Sequence, residues 1–176
     1  QTADALSAIH RAGIVHRDIK PDNILVMNHR EVRIGDFGIA LLPGERSSIE
    51  ELQAGVGTMS YMAPEMLEGN PYDHRADIYA LGVAFYEMIS GAHPFDSAPL
   101  MKQLDVRRDE SVRPLVELVP QFPEHLSRII GKAMSFDADD RYDDAREMMK
   151  QIASGAKASR AARSPVLSGR SSGRPR

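Results

Sequence analysis

His16-Arg17-Asp18-Ile19-Lys20-Pro21-Asp22-Asn23 brings an acid, a cation and an amide together within one short stretch. The apolar pair Ile14-Val15 precedes it, and the run Ile24-Leu25-Val26-Met27 follows. A second acidic group, Asp36-Phe37-Gly38, begins thirteen residues after Asn23. Two short strand-like runs that each meet an acidic loop predict oxygen ligands converging on one cation and one phosphate chain.

Outward from that stretch, the chain reads as mainly helical. Residues 2–11 carry Ala5, Leu6 and Ile9 at helical spacing, with Gly13 as the stop signal. Residues 24–27 and 32–34 predict a small hairpin. Residues 41–57 hold Pro43-Gly44, Ser47-Ser48 and Gly55 and read as a mobile loop. Pro64 opens a short helix to about Leu67. The strongest helix covers 75–90, is apolar nearly all the way round and so predicts a buried centre, with Gly91 as its cap. Further helices are predicted over 100–106, 126–134 and 145–152, the last with Asp144 and Glu147 as a capping box. The fold class is therefore mainly α (α+β), helical with one small β-hairpin beside the acidic loop.

Charge is divided unevenly. Of 22 basic residues, six (Lys157, Arg160, Arg163, Arg170, Arg174 and Arg176) lie in the last twenty positions, where no acid occurs. The remaining 16 face 25 acidic residues, so the body carries −9 and the tail +6. An acidic body argues against a nucleic-acid binder. After Ile152 the composition turns to Ala, Ser, Gly, Arg and Pro, which predicts a disordered basic tail over 154–176. The absence of cysteine excludes disulfides, thiolate metal sites and a cysteine nucleophile. The longest apolar stretch, residues 78–89, contains Glu87 and falls short of the roughly 20 residues that a membrane span needs. The first residue is Gln1, so the chain is expected to begin inside a gene product.

Phosphoryl transfer asks for an aimed hydroxyl, neutralised phosphates and one proton acceptor. Asp18 can accept the proton, and Lys20 can reach the phosphoryl oxygens from the same loop. Asn23 offers a neutral oxygen to magnesium, and Asp36 a charged one. Each residue alone has a plainer reading, as a cap, a turn former or a solvated charge. Their joint order is the signal.

That order resembles the eukaryotic-like protein kinases. His16 to Asn23, then Asp36-Phe37-Gly38, then Gly57-Thr58-Met59-Ser60-Tyr61-Met62-Ala63-Pro64-Glu65 match the family's signatures in sequence. The resemblance covers residues 1–153 and only the larger, C-terminal lobe; the N-lobe, with its glycine-rich loop and strand lysine, finds no counterpart, so this polypeptide alone is expected to be nearly inactive. It implies Asp18 as catalytic base, Lys20 as the phosphate-neutralising lysine, and Asn23 and Asp36 as ligands of magnesium bound with ATP. It implies that Asp77 braces the backbone of His16 and Arg17, and that Glu65 pairs with Arg141.

Lys20 and Thr58 resemble the serine/threonine subclass. Arg17 resembles the arginine of kinases switched by a loop phosphate, for which Ser47 and Ser48 are the candidates. The wording is most similar to bacterial serine/threonine kinases, with Met59 where those relatives often carry proline. The resemblance implies a protein partner with a Ser or Thr acceptor and a cytoplasmic location, or the cytoplasmic part of a membrane protein. It also implies the basic tail over 154–176 as the start of a juxtamembrane linker, with any membrane attachment outside this chain. Two other classes are weighed beside it: a kinase-like module that only binds, and a small-molecule phosphotransferase of related fold.

Several other patterns fail. Gly55-Val56-Gly57 lies between no strands, and Gly131-Lys132 lacks the earlier glycine of a phosphate loop. The Asp137–Asp144 cluster has Tyr142 and Met148 where a calcium loop needs Gly and Glu. None of the six histidines sits four residues from another, which argues against zinc.

Overall fold

The computed structural model describes residues 1–27, 31–37, 40, 58–95, 102–109 and 112–163. Helix α1 (Thr2–Arg11) leads into the acidic loop, and a 3-10 turn over Pro21–Asn23 delivers the chain to strand β1 (Ile24–Met27). Strand β2 (Glu31–Ile34) pairs with it antiparallel, Ile24 opposite Ile34 and Met27 opposite Glu31. A 3-10 turn over Thr58–Tyr61 precedes α2 (Pro64–Leu67), α3 (Arg75–Ser90), α4 (Gln103–Asp109), α5 (Leu115–Leu118), α6 (Glu124–Ala133) and α7 (Ala145–Arg163). Among the described residues, the mainly helical architecture with one two-stranded sheet agrees with the sequence expectation.

The reason α3 is apolar on every side is now visible, because it separates two cores. Ile78, Leu81 and Ala84 face a cluster with Leu6, Ile19 and Met148. Tyr79, Val83 and Tyr86 face another with Met62, Phe95 and Leu115. Each Leu, Ile, Val, Met or Phe among them contributes about 1.5–3 kcal/mol on burial. Gly82 lets α6 close against α3: a Cβ there would lie 2.8 Å from Met134 Cγ and 3.0 Å from Ala133 Cβ. At the end of the helix Gly91 adopts φ 74° and its N–H donates to Glu87 O at 2.8 Å, the left-handed cap the sequence predicts.

Several boundaries differ from expectation. Helix α4 runs to Asp109 rather than Val106, and α6 opens at Glu124 because Pro123 supplies the N-cap. The short α5 carries only four residues, too few for a periodic signal. The largest difference is α7, which passes Ile152 and continues to Arg163, where disordered chain was expected from residue 154. Alanine, lysine and arginine have high helix propensity, and five alanines between 153 and 162 carry the helix on despite a poor apolar content. At its start, Glu147 N–H donates to Asp144 Oδ1 at 2.6 Å, while the Glu147 carboxylate accepts from the N–H of Asp143 rather than Asp144. The expected loop over 41–57, with Ser47 and Ser48, lies outside the described residues. Among the described residues no helix is long and apolar enough to cross a membrane.

Candidate active site

The loop from His16 to Asn23 is fixed from below by α3. Asp77, 1% exposed in the first turn of that helix, accepts the His16 N–H at Oδ2 and the Arg17 N–H at Oδ1, both at 2.8 Å. His10, from the last turn of α1, donates Nε2–H to Asp77 Oδ2 at 2.9 Å. A carboxylate near a helix N-terminus also gains from the dipole. These bonds hold Arg17 at φ 66°, a left-handed backbone that costs about 1–3 kcal/mol for a side-chain-bearing residue. The bracing role that the family resemblance implies for Asp77 is what the geometry displays.

His16 is fully buried, and its contacts define its tautomer. Nε2 donates to Gly35 O at 3.1 Å, and Nδ1 accepts the Asp18 N–H at 3.3 Å. Only the neutral ring protonated on Nε2 satisfies both. The Phe37 ring, itself half exposed, packs on it at 4.7 Å between centroids. His16 thus ties the loop to the end of β2 beside Asn23, as a packing and hydrogen-bonding residue.

Asp18, Lys20 and Asn23 come together above this support. The Lys20 ammonium donates to Asp18 Oδ1 at 3.0 Å and to Oδ2 at 2.9 Å. Asn23 uses its amide nitrogen for both the Asp18 carbonyl and Asp18 Oδ2, each at 2.8 Å. With the amide hydrogens so committed, Asn23 Oδ1 is the atom that can face a cation. Asp36 enters from the other strand. Gly35 N–H donates to Asn23 O at 2.9 Å, continuing the β1–β2 ladder one step and setting Asp36 just beyond Asn23 at the same end of the hairpin. Asp36 is exposed, with φ 60°. Arg17 sends Nη1 to the Tyr72 hydroxyl at 3.3 Å. Thr58 is described only as the first residue of its 3-10 turn, and Gly38 lies outside the described residues.

The segment from Thr58 to α2 forms a second wall, pinned by two buried arginines on either side of Tyr79. Arg141 donates from Nη1 and Nη2 to the two Glu65 oxygens, both at 2.7 Å. Its remaining hydrogens go to the carbonyls of Ser135, Arg75 and Phe136, so all five donors are satisfied while the guanidinium lies 4.9 Å from the Tyr79 ring centre. The pairing of Glu65 with Arg141 was expected; the nearby acidic cluster instead engages Arg75, through Asp139. On the other side, Arg107 Nε donates to the Tyr79 hydroxyl at 3.1 Å, and Nη2 to the carbonyls of Met59 and Ser60. Between them the Tyr61 hydroxyl donates to Glu87. Burial pushes the Tyr79 phenol up to about 12 against the opposing charge of Arg107, and burial lowers the Arg107 guanidinium.

Sequence reasoning missed His10 and Arg107. A histidine in the last turn of a helix reads as a partner of the helix dipole, and an arginine in a short charged helix reads as solvated. Neither position carries a local sign that it is buried.

Comparison with known proteins agrees with the geometry. The protein kinase domain family matches residues 1–155. The probable serine/threonine-protein kinase PknB of Lactococcus lactis is 34% identical over 149 residues, which cover 85% of this chain and 24% of that protein. The probable serine/threonine-protein kinase PknB of Bifidobacterium longum is 39% identical, with 85% and 22% covered. The serine/threonine-protein kinase Pkn1 of Myxococcus xanthus is 40% identical, with 81% and 21% covered. The chain therefore spans under a quarter of the length of these curated relatives. A family match over most of the chain, on a loop, hairpin and pinned segment arranged as described, leads to one conclusion: the chain belongs to the protein kinase family.

Proposed function

We propose that the protein is a serine/threonine protein kinase that transfers the γ-phosphoryl group of ATP to a Ser or Thr hydroxyl of a protein substrate. The observation that carries this reading is buried Asp18, its carboxylate holding Lys20 on both oxygens and Asn23 on one, standing on a loop anchored by Asp77. The acceptor oxygen attacks the γ-phosphorus as its proton passes to Asp18. The bond to the β–γ bridging oxygen breaks, and ADP leaves with the electron pair. Lys20 would meet the charge on the transferred group, a role supported by its ammonium lying within 3 Å of the base.

Asn23 Oδ1 and the Asp36 carboxylate are hard oxygen donors at one end of the hairpin, a set that fits magnesium. Magnesium, when bound, would neutralise the ATP phosphates. Arg17 is proposed to receive a loop phosphate at Ser47 or Ser48, and Thr58 to stand beside the acceptor residue. Residues 1–153 are proposed as the catalytic lobe and 154–176 as a basic segment beyond it, with α7 crossing that boundary. A cytoplasmic location follows from the same reading, since ATP and protein acceptors are found there.

The test is direct. The natural full-length protein, incubated with magnesium, ATP labelled at the γ-position and a general protein substrate, is expected to yield phosphoserine or phosphothreonine. Absence of label, or label on tyrosine alone, would overturn the proposal.

A further inference from the structure

We infer that Arg107 is a positioning residue for the protein acceptor, acting through the backbone of Met59 and Ser60; this rests on the kinase reading above. The segment that begins at Thr58 has no strand partner among the described residues, and its only regular structure ahead of α2 is a four-residue 3-10 turn. Side chains from the helices behind it must therefore set its place. Glu65 is tied to Arg141 at one end and Tyr61 to Glu87 in the middle. At the end nearest Thr58, the tie is Arg107 on α4, reaching the two carbonyls with one nitrogen and the Tyr79 hydroxyl with another.

Arg107 is an unusual choice if stability alone were at stake. It is 5% exposed, and among the described residues its hydrogen-bond partners are a phenol and two carbonyls, with no carboxylate. Its Nη1 is buried and finds no hydrogen-bond partner among the described residues. Among the described residues this buried charge is held by dipoles and by the Phe95 ring, 4.8 Å away, an arrangement often matched or bettered by an apolar side chain of the same volume. What a methionine could not supply is a rigid fork that orients two successive carbonyls. The Tyr79 hydroxyl fixes that fork from α3, the same helix whose Asp77 fixes the loop carrying Asp18. Through α3, the base and the acceptor wall share one reference frame.

The experiment is steady-state kinetics on the natural full-length protein, with a Ser/Thr peptide and ATP varied separately, for wild type, Arg107→Met and Arg107→Lys. Arg107→Met is expected to raise the peptide KM about tenfold while the ATP KM stays within about twofold. Arg107→Lys keeps the charge without the fork and is expected to fall between the two. A merely structural role would move both KM values together, or lower kcat through loss of folded enzyme with the peptide KM unchanged; either result overturns the inference. If Arg107→Met does not fold, the same split in Arg107→Lys decides. A wild type that phosphorylates no peptide overturns the kinase reading and the inference with it. An active wild type with an unchanged peptide KM in both variants overturns the inference alone.

Discussion

Replacing Asp77 with Asn keeps the volume of the side chain and removes one acceptor, which isolates what the carboxylate does. In the native arrangement Oδ1 serves the Arg17 N–H, while Oδ2 serves the His16 N–H and His10 Nε2. Whichever way the new amide turns, its NH2 group faces one of the two backbone donors. His10 can adapt by moving its proton to Nδ1, now buried without a partner among the described residues, but a backbone N–H cannot. One buried donor is therefore orphaned, at about 1–3 kcal/mol, and the remaining bonds lose their charge assistance. The expected total is about 2–4 kcal/mol. For a domain of this size each kcal/mol lowers Tm by about 2–4 °C, so a fall of roughly 5–15 °C is expected. Native-state hydrogen exchange supplies the local readout, because the amide of His16 or Arg17 should lose protection ahead of the core of α3. An Asp77→Asn variant that melts within about 1 °C of wild type, with both amides still protected, would refute the bracing argument.

Two further outcomes follow from the pinned wall. Arg141→Ala leaves the Glu65 carboxylate and three carbonyls without their donor; a loss of about 3–5 kcal/mol is expected in urea denaturation, against a much smaller loss for an exposed pair such as Arg33 with Glu31. The buried Tyr79 phenol, pushed up to about 12, keeps its proton in the folded state after the unfolded chain has lost its own near pH 10. Its contribution is thus complete below pH 10 and is lost as pH rises towards 12, by about 2–3 kcal/mol. The difference in stability between wild type and Tyr79→Phe, followed by denaturation across pH 8–12, should shrink over that window; a constant difference would show that Tyr79 does not titrate late.

The parts of the fold that were legible in the sequence are those where one local pattern has one physical solution. Helix α3 is apolar all round because it lies between two cores, whereas a surface helix keeps its apolar residues to one face. The hairpin, the glycine cap at Gly91 and the group formed by Asp18, Lys20 and Asn23 are similarly local. Asp77, Glu65 and Arg141 were legible only through the family resemblance, since their partners lie sixty or more residues away. Arg107 and His10 were not legible, because their roles depend on burial that arises from packing between helices. The extension of α7 escapes a sequence reading for a different reason: low apolar content points to disorder, while alanine content favours helix without any core.

The central claim is that Asp18 is the group that accepts the proton of the attacking hydroxyl. Asp18→Asn keeps the shape of the side chain and can still hydrogen-bond to Lys20, so the loop should stand while the base is gone. Measured on the natural full-length protein, phosphoryl transfer from ATP to a Ser/Thr peptide is expected to fall about 10²–10⁴-fold, with ATP binding retained. An Asp18→Asn variant that transfers phosphate at the wild-type rate would contradict the account.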